Sequence, residues 1–194
     1  FEPTAIDVIY AQGRLAISTL GLEGEAAILD VTRTENGWSA SSEEAWSWPK
    51  RIGALEADAG KPVAGIDAAG RQHVMWHAGE ASAPALWYTR LADGSWAQAA
   101  PVIQPQEGIA LDPSLTAADE RLYVSYAGGE NGRVDFASAF GSDAHAAASW
   151  SAPEPLPGPV SPRYALGAHP SLVVDLGGTL HATYAVPINQ YRGI

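Results

Sequence analysis

The chain has 194 residues, and it combines 20 glycines and 14 prolines with 46% hydrophobic and only 17% charged residues. Such a composition is typical of many short strands and turns and argues against long surface helices. The formal net charge of −11 argues against nucleic acid as a partner, because a phosphate backbone would be repelled over most of the surface.

Alternating apolar segments bounded by turn residues predict strands in four consecutive units. In chain order, the predicted strands are 5–11, 14–20, 26–34 and 38–43 in unit one, 63–68, 72–78, 85–92 and 95–100 in unit two, 114–118, 121–127, 134–140 and 149–153 in unit three, and 171–175 and 179–186 in unit four. The last hairpin of unit three is widened by residues 141–149. Pro-rich stretches at 101–113 and 153–170 lie between units, where a connection that joins no ladder is expected.

Two landmarks recur along the chain with one period. The second strand of each unit opens at intervals of 57, 50 and 58 residues, at Arg14, Arg71, Arg121 and Thr179. A tryptophan opens each predicted fourth strand at intervals of 58 and 54 residues, at Trp38, Trp96 and Trp150. Two independent landmarks in the same phase indicate a structural repeat.

A four-stranded unit repeated at this spacing predicts the blades of a β-propeller, which pack face to face around an axis. We therefore predict an all-β fold, a β-propeller of four-stranded antiparallel blades that is incomplete, with three full blades and the start of a fourth. The predicted partial propeller spans 1–194, with blade 1 at about 4–48, blade 2 at about 61–103, blade 3 at about 110–157 and partial blade 4 at about 168–194. Because propellers have about 4 to 8 blades, we expect the remaining blades beyond Ile194 in the same chain or from a partner chain.

Other classes of site have little support in the sequence. No apolar run approaches the roughly 20 residues of a membrane-spanning helix, so no membrane span is expected. The absence of Cys excludes disulfides and thiolate metal ligands. The 5 histidines have no short ligand spacing, so no metal site is predicted, and no cofactor is expected.

Several phrases resemble the sialidase-like propellers with BNR or Asp-box repeats, namely 88–90 followed by 93–96, 169–172 and 180–187. The resemblance implies an exo-acting glycoside hydrolase on acidic sugars, with arginines that hold the sugar carboxylate, and an extracellular or bacterial cell-surface location. It also implies that Asp93 lies in a structural turn on the face opposite the substrate. Of the predicted Asp-box turns, only the one in unit two keeps this Asp, and no family Tyr/Glu pair can be assigned by position.

Strand direction predicts which loops share a face. Connections between blades and loops between second and third strands meet on one face, which we call the top face. The predicted top-face residues are His77, Glu80, Asp112, Glu130, Asn131, Arg163, Tyr164, His169, Asn189, Tyr191 and Arg192. Among them, the candidate substrate-binding residues are Arg192, Asn189, His169 and His77, and the candidate catalytic residue is Asp112.

Each candidate has a structural alternative. Arg192 suits a bidentate contact with a carboxylate, and the alternative is an arginine that is solvated or braces its loop. Asp112 and His169 each precede a proline at the start of a first strand, where a polar side chain can cap or brace the turn. His73 and His181 are interpreted as packed or hydrogen-bonded core rings.

Three functions remain open from the sequence. The first is the exo-acting glycoside hydrolase just described. The second is a non-catalytic propeller that binds a carbohydrate or protein ligand on its top face. The third is a structural subunit of a larger extracellular assembly.

Overall fold

The computed structural model describes residues 2–11, 14–23, 26–33, 50–55, 59–79, 84–92, 94–105, 109–129, 133–156 and 169–184. Across these ranges the regular structure is β, apart from one 3₁₀ turn at Ala147–Ser149. Nothing helical in the described ranges is long and apolar enough to cross a membrane. The prediction of an all-β fold is confirmed.

The described strands form four antiparallel sheets that follow one another along the chain. Sheet 1 contains β1 (Glu2–Ala11), β2 (Arg14–Glu23), β3 (Ala26–Arg33) and β4 (Lys50–Leu55). Sheet 2 contains β5 (Val63–Ile66), β6 (Gln72–Ala78), β7 (Ala85–Ala92), β8 (Ser95–Trp96) and β9 (Ala100–Ile103). Sheet 3 contains β10 (Ile109–Ala118), β11 (Arg121–Gly129), β12 (Arg133–Phe140) and β13 (Glu154–Pro155), and sheet 4 contains β14 (Ser171–Val174) and β15 (Leu180–Thr183).

Consecutive strands in each sheet pair in sequence order, except that β9 pairs with β7. The first three strands of each unit agree with the sequence prediction to within a few residues wherever they are described. In sheet 2 the outer position beside β7 is shared by β8 and β9, so the fourth strand is split into two pieces. Strand 38–43, predicted for unit one, lies outside the described residues, and β4 occupies the outer position of sheet 1.

The fourth strand of unit three differs from the prediction. Strand β13 pairs with Asp135 and Phe136, whereas the predicted 149–153 segment precedes it. Trp150 is buried with its ring edge-on to Tyr88 at 6.3 Å between centroids, and its indole Nε1 donates to the carbonyl of Ala144 at 2.8 Å. The widened loop 141–150 therefore packs against sheet 2, and the outer strand of sheet 3 begins later in the sequence than predicted.

The core lies between successive sheets. One apolar cluster joins sheets 2 and 3, a second joins sheets 1 and 2, and a third joins sheets 3 and 4. On β6, Val74 and Trp76 face sheet 1, while Met75 belongs to the cluster shared with sheet 3. This strand is consequently apolar on both faces, as is typical of a strand covered on both sides.

The first strands of the four sheets, β1, β5, β10 and β14, line one central cavity of about 460 Å³. Side chains link them across the sheet boundaries. The Asp7 carboxylate accepts a hydrogen bond from the Ala64 backbone N–H at 3.0 Å, and the Ser114 hydroxyl accepts one from the Leu172 N–H at 2.9 Å. The first strands of successive sheets therefore lie beside one another around this cavity.

Candidate functional site

Three of the predicted site residues lie together beside the starts of β10 and β14. The imidazole Nδ1 of His169 is 3.3 Å from Asp112 Oδ2, and Nδ1 of His77 is 4.0 Å from Asp112 Oδ1. The Asp112 backbone N–H also donates to His77 Nδ1 at 3.3 Å. We call this group the His–Asp–His cluster; it consists of His77, Asp112 and His169.

Local backbone irregularity positions Asp112 and His169. Strand β10 changes register between Leu111 and Ser114, so Asp112 sits in a bulge. Asp112 has φ 48° and His169 has φ 33°, both in the left-handed region that side-chain-bearing residues avoid. Each such conformation costs about 1–3 kcal/mol and persists only where the surroundings hold it in place.

Gly60 provides the seat for the His77 ring. Its N–H donates to the His77 carbonyl at 2.8 Å, and a Cβ added at Gly60 would lie 1.9–2.4 Å from three atoms of the imidazole. The ring therefore lies directly on the backbone of residue 60, where no other residue type fits. Because His77 Nδ1 accepts from Asp112, the neutral ring carries its hydrogen on Nε2.

The three side chains of the cluster differ in their exposure to solvent. The side chain of His77 is 17% exposed, that of Asp112 is 35% exposed and that of His169 is 76% exposed. The Asp112 carboxylate can accept hydrogen bonds from the hydroxyl groups of a ligand and can exchange a proton with a ligand or with His169. This chemistry suits either the recognition of a polar ligand or acid/base catalysis on one.

The other predicted top-face residues lie outside the described residues. They include the candidate binding residues Asn189 and Arg192, and Asp93 and Asn36 of the predicted opposite face lie outside as well. The substrate-binding and catalytic roles assigned from the sequence stay predictions. Within the described ranges, no group of three or more His, Asp or Glu side chains is arranged to hold a metal ion.

A second polar cluster, which the sequence interpretation recognised only through His73, lies at the other end of sheet 2. The Asp67 carboxylate contacts Arg71 Nε at 2.6 Å and His73 Nε2 at 3.2 Å, and His73 Nδ1 is 2.7 Å from the Tyr88 hydroxyl. The side chains of Asp67 and His73 are fully buried. Because His73 is four residues from His77 along β6, the two clusters are about 13 Å apart along the strand.

The protonation states of this second cluster follow from burial and its partners. Burial alone would raise the pKa of Asp67, but the hydrogen bonds with His73 and Arg71 outweigh it and lower the pKa to about 2. Burial lowers the pKa of His73 and raises that of Tyr88. An ionised Asp67 therefore lies 3.2 Å from Nε2 of a neutral His73, and Nδ1 of the same ring shares a hydrogen bond with the Tyr88 hydroxyl.

His73 is thus a hydrogen-bonded core ring, as interpreted from the sequence. His181 is hydrogen-bonded as well, at 2.9 Å from Asp175 Oδ2, but its side chain is 54% exposed. The signal that could have revealed both partners is the spacing Asp-x-x-Gly-x-x-His, which occurs at 67–73 and again at 175–181.

No protein-family model matches the sequence, and no curated protein matches it at a significant level. Among solved structures, the chain is similar to an α-L-arabinofuranosidase from Lactobacillus brevis, with a TM-score of 0.59 and 14% identity over 92% of this chain and 63% of that chain. It is also similar to the catalytic domain of a GH62 α-L-arabinofuranosidase from Coprinopsis cinerea, with a TM-score of 0.49 and 11% identity over 79% and 50% of the two chains. A glycosyl hydrolase from Bacteroides ovatus gives a TM-score of 0.44 and 10% identity over 93% and 51%.

The likeness to the Lactobacillus brevis enzyme concerns the fold, because the identity is low. This chain spans about 63% of the length of that protein. Together with the four sheets that line one cavity, the likeness supports a propeller fold.

Proposed function

We propose that this chain is part of a carbohydrate-active propeller and that it binds a terminal sugar at the His–Asp–His cluster. The observation that carries the proposal is Asp112, which sits in a left-handed bulge with its carboxylate 3.3 Å from Nδ1 of His169 and its backbone N–H donated to Nδ1 of His77. It lies just before the cavity-lining part of its strand. Backbone strain among loops and strand ends is typical of binding and catalytic sites.

The proposed reaction is glycoside hydrolysis with Asp112 as the acid/base. In this reaction a carboxylic acid protonates the leaving oxygen, and a second carboxylate activates water or attacks the sugar carbon. Asp112 is partly exposed and within reach of His169, so it can receive and release a proton at the surface. Among the predicted top-face residues, Glu80 and Glu130 are the candidates for the second carboxylate.

The two resemblances favour different sugars as the substrate. The resemblance to sialidase-like propellers supports an exo-acting hydrolase on acidic sugars, with Arg192 and Asn189 at the carboxylate. The likeness to an α-L-arabinofuranosidase supports a neutral pentose. We propose the acid/base role of Asp112 for either sugar, together with an extracellular location and a full ring completed by further blades.

A non-catalytic glycan-binding propeller is the second candidate. Its support is that the described part of the cluster holds a single carboxylate, Asp112, beside two imidazoles. A lone carboxylate with imidazole donors suffices to bind sugar hydroxyls, whereas hydrolysis needs a carboxylate pair.

The two candidates are distinguished by measuring hydrolysis and binding of the same aryl glycosides, an α-L-arabinofuranoside and a sialoside, with the intact polypeptide. For a hydrolase, Asp112→Asn should lower kcat by about 10²–10⁴-fold while the glycoside still binds. The matched control is Asp119→Asn, an exposed turn aspartate that shares the left-handed backbone, with φ 53°. Binding without turnover would establish the binding module, and neither binding nor turnover with any glycan would refute the proposed site.

A further inference from the structure

The four strands that line the central cavity begin to line it at one equivalent position of the repeat. In each strand, the first lining residue pairs with the residue four positions after the start of the second strand, counted from Arg14, Arg71, Arg121 and Thr179. The pairs, from sheet 1 to sheet 4, are Asp7 with Ser18, Val63 with Met75, Ser114 with Ser125 and Ser171 with Thr183. One position of the repeat therefore forms the end of the cavity where these strands enter it.

The position two residues before the cavity carries a polar side chain in three of the four sheets. It is Lys61 in sheet 2, Asp112 in sheet 3 and His169 in sheet 4, and a proline follows each time, whereas sheet 1 has Ala5 there. The three polar side chains are 57%, 35% and 76% exposed, so this end of the cavity faces solvent. We call this end the mouth of the cavity. Since Asp112 and His169 belong to the His–Asp–His cluster, the repeat identifies Lys61 as the residue that corresponds to them in sheet 2.

A repeated hydrogen bond between sheets supports this correspondence. The Asp7 carboxylate accepts from the Ala64 N–H at 3.0 Å, and the Ser114 hydroxyl accepts from the Leu172 N–H at 2.9 Å. Both bonds join the first cavity-lining position of one sheet to the second cavity-lining position of the next. Sheets 1 and 2 therefore meet at the mouth in the same way as sheets 3 and 4.

The contacts of Lys61 place its side chain at the mouth. Its Nζ is 3.7 Å from Oδ1 of Asp7, the first cavity-lining residue of sheet 1, and the preceding Gly60 donates its N–H to the His77 carbonyl at 2.8 Å. An exposed ion pair of this kind contributes little to stability, so stability alone does not account for a lysine here. Because an ammonium group carries three donors, Lys61 can keep its contact with Asp7 and still donate to a ligand.

The charges at the mouth favour a neutral ligand. Among the described side chains there, Lys61 is positive at neutral pH, whereas Asp7 and Asp112 are carboxylates. A ligand carboxylate would meet this excess of negative charge on a chain whose formal net charge is already −11. The hydroxyls of a neutral sugar meet no such repulsion, and they can accept from Lys61 and donate to Asp112. The cavity volume of about 460 Å³ lies within the range of about 300–1,000 Å³ that is typical of small-ligand pockets.

We propose that Lys61 is a further binding residue of the sugar site, and that it donates a hydrogen bond to a hydroxyl of a neutral sugar whose other side contacts Asp112 and His169. The ligand then spans the mouth from sheet 2 to sheet 4. This inference rests on the proposed binding of a sugar at the His–Asp–His cluster, and it applies whether the sugar is hydrolysed or only bound.

The first test measures binding to the intact polypeptide by calorimetry with two aryl thioglycosides, an α-L-arabinofuranoside and a sialoside, whose sulfur linkage resists hydrolysis. Lys61→Met keeps an apolar stem but removes the donors, so it should raise the Kd for the arabinofuranoside by about 10-fold or more. Lys61→Arg, which retains donors, should restore most of the affinity. The control is Lys50→Met, which makes the same change of charge on the outer strand β4 and should leave the Kd unchanged.

The outcomes separate this inference from the proposed function. If the parent protein binds the arabinofuranoside and Lys61→Met binds it equally well, Lys61 is not a binding residue, although the proposed function stands. If Lys61→Met weakens binding of the sialoside alone, Lys61 binds a carboxylate and the neutral sugar is wrong. If the parent protein binds neither thioglycoside, the proposed function fails and this inference fails with it.

Lysine labelling provides a readout that needs no variant. Reductive methylation of the intact polypeptide is followed by mass spectrometry at Lys61 and at Lys50, the two lysines of the 194-residue chain. Saturating thioarabinofuranoside should slow the labelling of Lys61 and leave that of Lys50 unchanged. Equal labelling of Lys61 with and without the bound ligand would overturn the proposal.

Discussion

At the scale of single residues, burial of His73 makes the stability of the protein depend on pH. His73 is fully buried with an ionised aspartate and a tyrosine hydroxyl, and burial lowers the pKa of its ring from the usual 6.5. The unfolded chain therefore binds a proton at this residue at pH values where the native state does not. Stability then rises with pH through this window and falls on acidification below about 6.5.

The first prediction concerns this proton. As pH falls from about 6.5 toward 5, His73 should contribute a loss of up to about 1.4 kcal/mol per pH unit in the free energy of unfolding. His73→Gln should flatten that dependence, because no proton is then taken up on unfolding. Urea unfolding across this pH range measures the slope. Tyr88→Phe is the control, since it removes the hydrogen bond at His73 Nδ1 but keeps the titrating ring, so its slope should stay close to that of the parent.

The second prediction concerns the glycine beneath His77. Gly60→Ala should displace the ring from Asp112, because the added Cβ would overlap three ring atoms at 1.9–2.4 Å. NMR of the imidazole Nδ1, which now accepts from the Asp112 N–H, would report the change. Gly65→Ala is the matched control, since its Cβ would meet Leu115 at an ordinary 3.5 Å. An unchanged His77 signal in Gly60→Ala would show that the ring does not rest on this backbone.

At the scale of elements, the widened loop of sheet 3 joins two sheets. Arg90 donates to the carbonyls of Gly141 and Ser142, His145 Nε2 is 2.6 Å from the carbonyl of Gln98, and Trp150 packs edge-on against Tyr88. An insertion that looks like a surface excursion in the sequence therefore acts as a clamp from sheet 3 onto sheet 2.

The third prediction tests this clamp. Gly141→Ala should lower the free energy of unfolding by about 1–3 kcal/mol, because the new methyl group meets a carboxylate already fixed by Arg71 and His73. Ser142→Ala is the neighbouring control, with a change within about 0.5 kcal/mol, since Ser142 contributes a carbonyl and not its side chain. Denaturant unfolding of both variants decides, and equal stabilities would mean that the loop adapts without cost.

The strands were predictable where local pattern determines them, and not where distant contacts do. Second strands follow Gly or Asp turns and alternate clearly, so β2, β6 and β11 begin within one residue of the predicted positions. Fourth strands lie at the outer edge of each sheet, where few residues pair. Strand β13 was not predicted, because residues 141–150 contact sheet 2 and do not form the outer strand. Strand alternation predicted that His77, Asp112 and His169 share one face, whereas it did not single out Asp67 and Asp175, which lie at short turns.

At the scale of the whole molecule, the net charge is strongly negative. The formal net charge is −11, and the innermost strands carry three carboxylates, those of Glu2, Asp7 and Asp112. Excess like charge destabilises a compact state through self-repulsion, which salt screens over about 10 Å at 0.1 M.

The fourth prediction follows from that repulsion. Raising NaCl from low concentration to about 0.1 M should raise the Tm, because the screened repulsion is larger in the compact state than in the expanded chain. Thermal unfolding at fixed pH in both buffers measures the shift. The same titration with sodium sulfate at equal ionic strength separates screening from anion-specific effects, and a Tm that falls with salt would mean that attractive pairs dominate the surface.

The turn with the spacing Asp-x-x-Gly-x-x-His, which occurs at 67–73 and 175–181, also has a consequence for the order of assembly. The contacts of its aspartate with the turn backbone and with the histidine ring lie within seven consecutive residues, and the turn in sheet 4 makes them while its side chains are about half exposed. The turn can therefore form in water as part of a local hairpin, on microsecond timescales. In sheet 2 the Asp67 carboxylate loses its contact with water only when sheet 3 packs against it, so the cost of desolvation falls on the packing of the two sheets and not on formation of the hairpin.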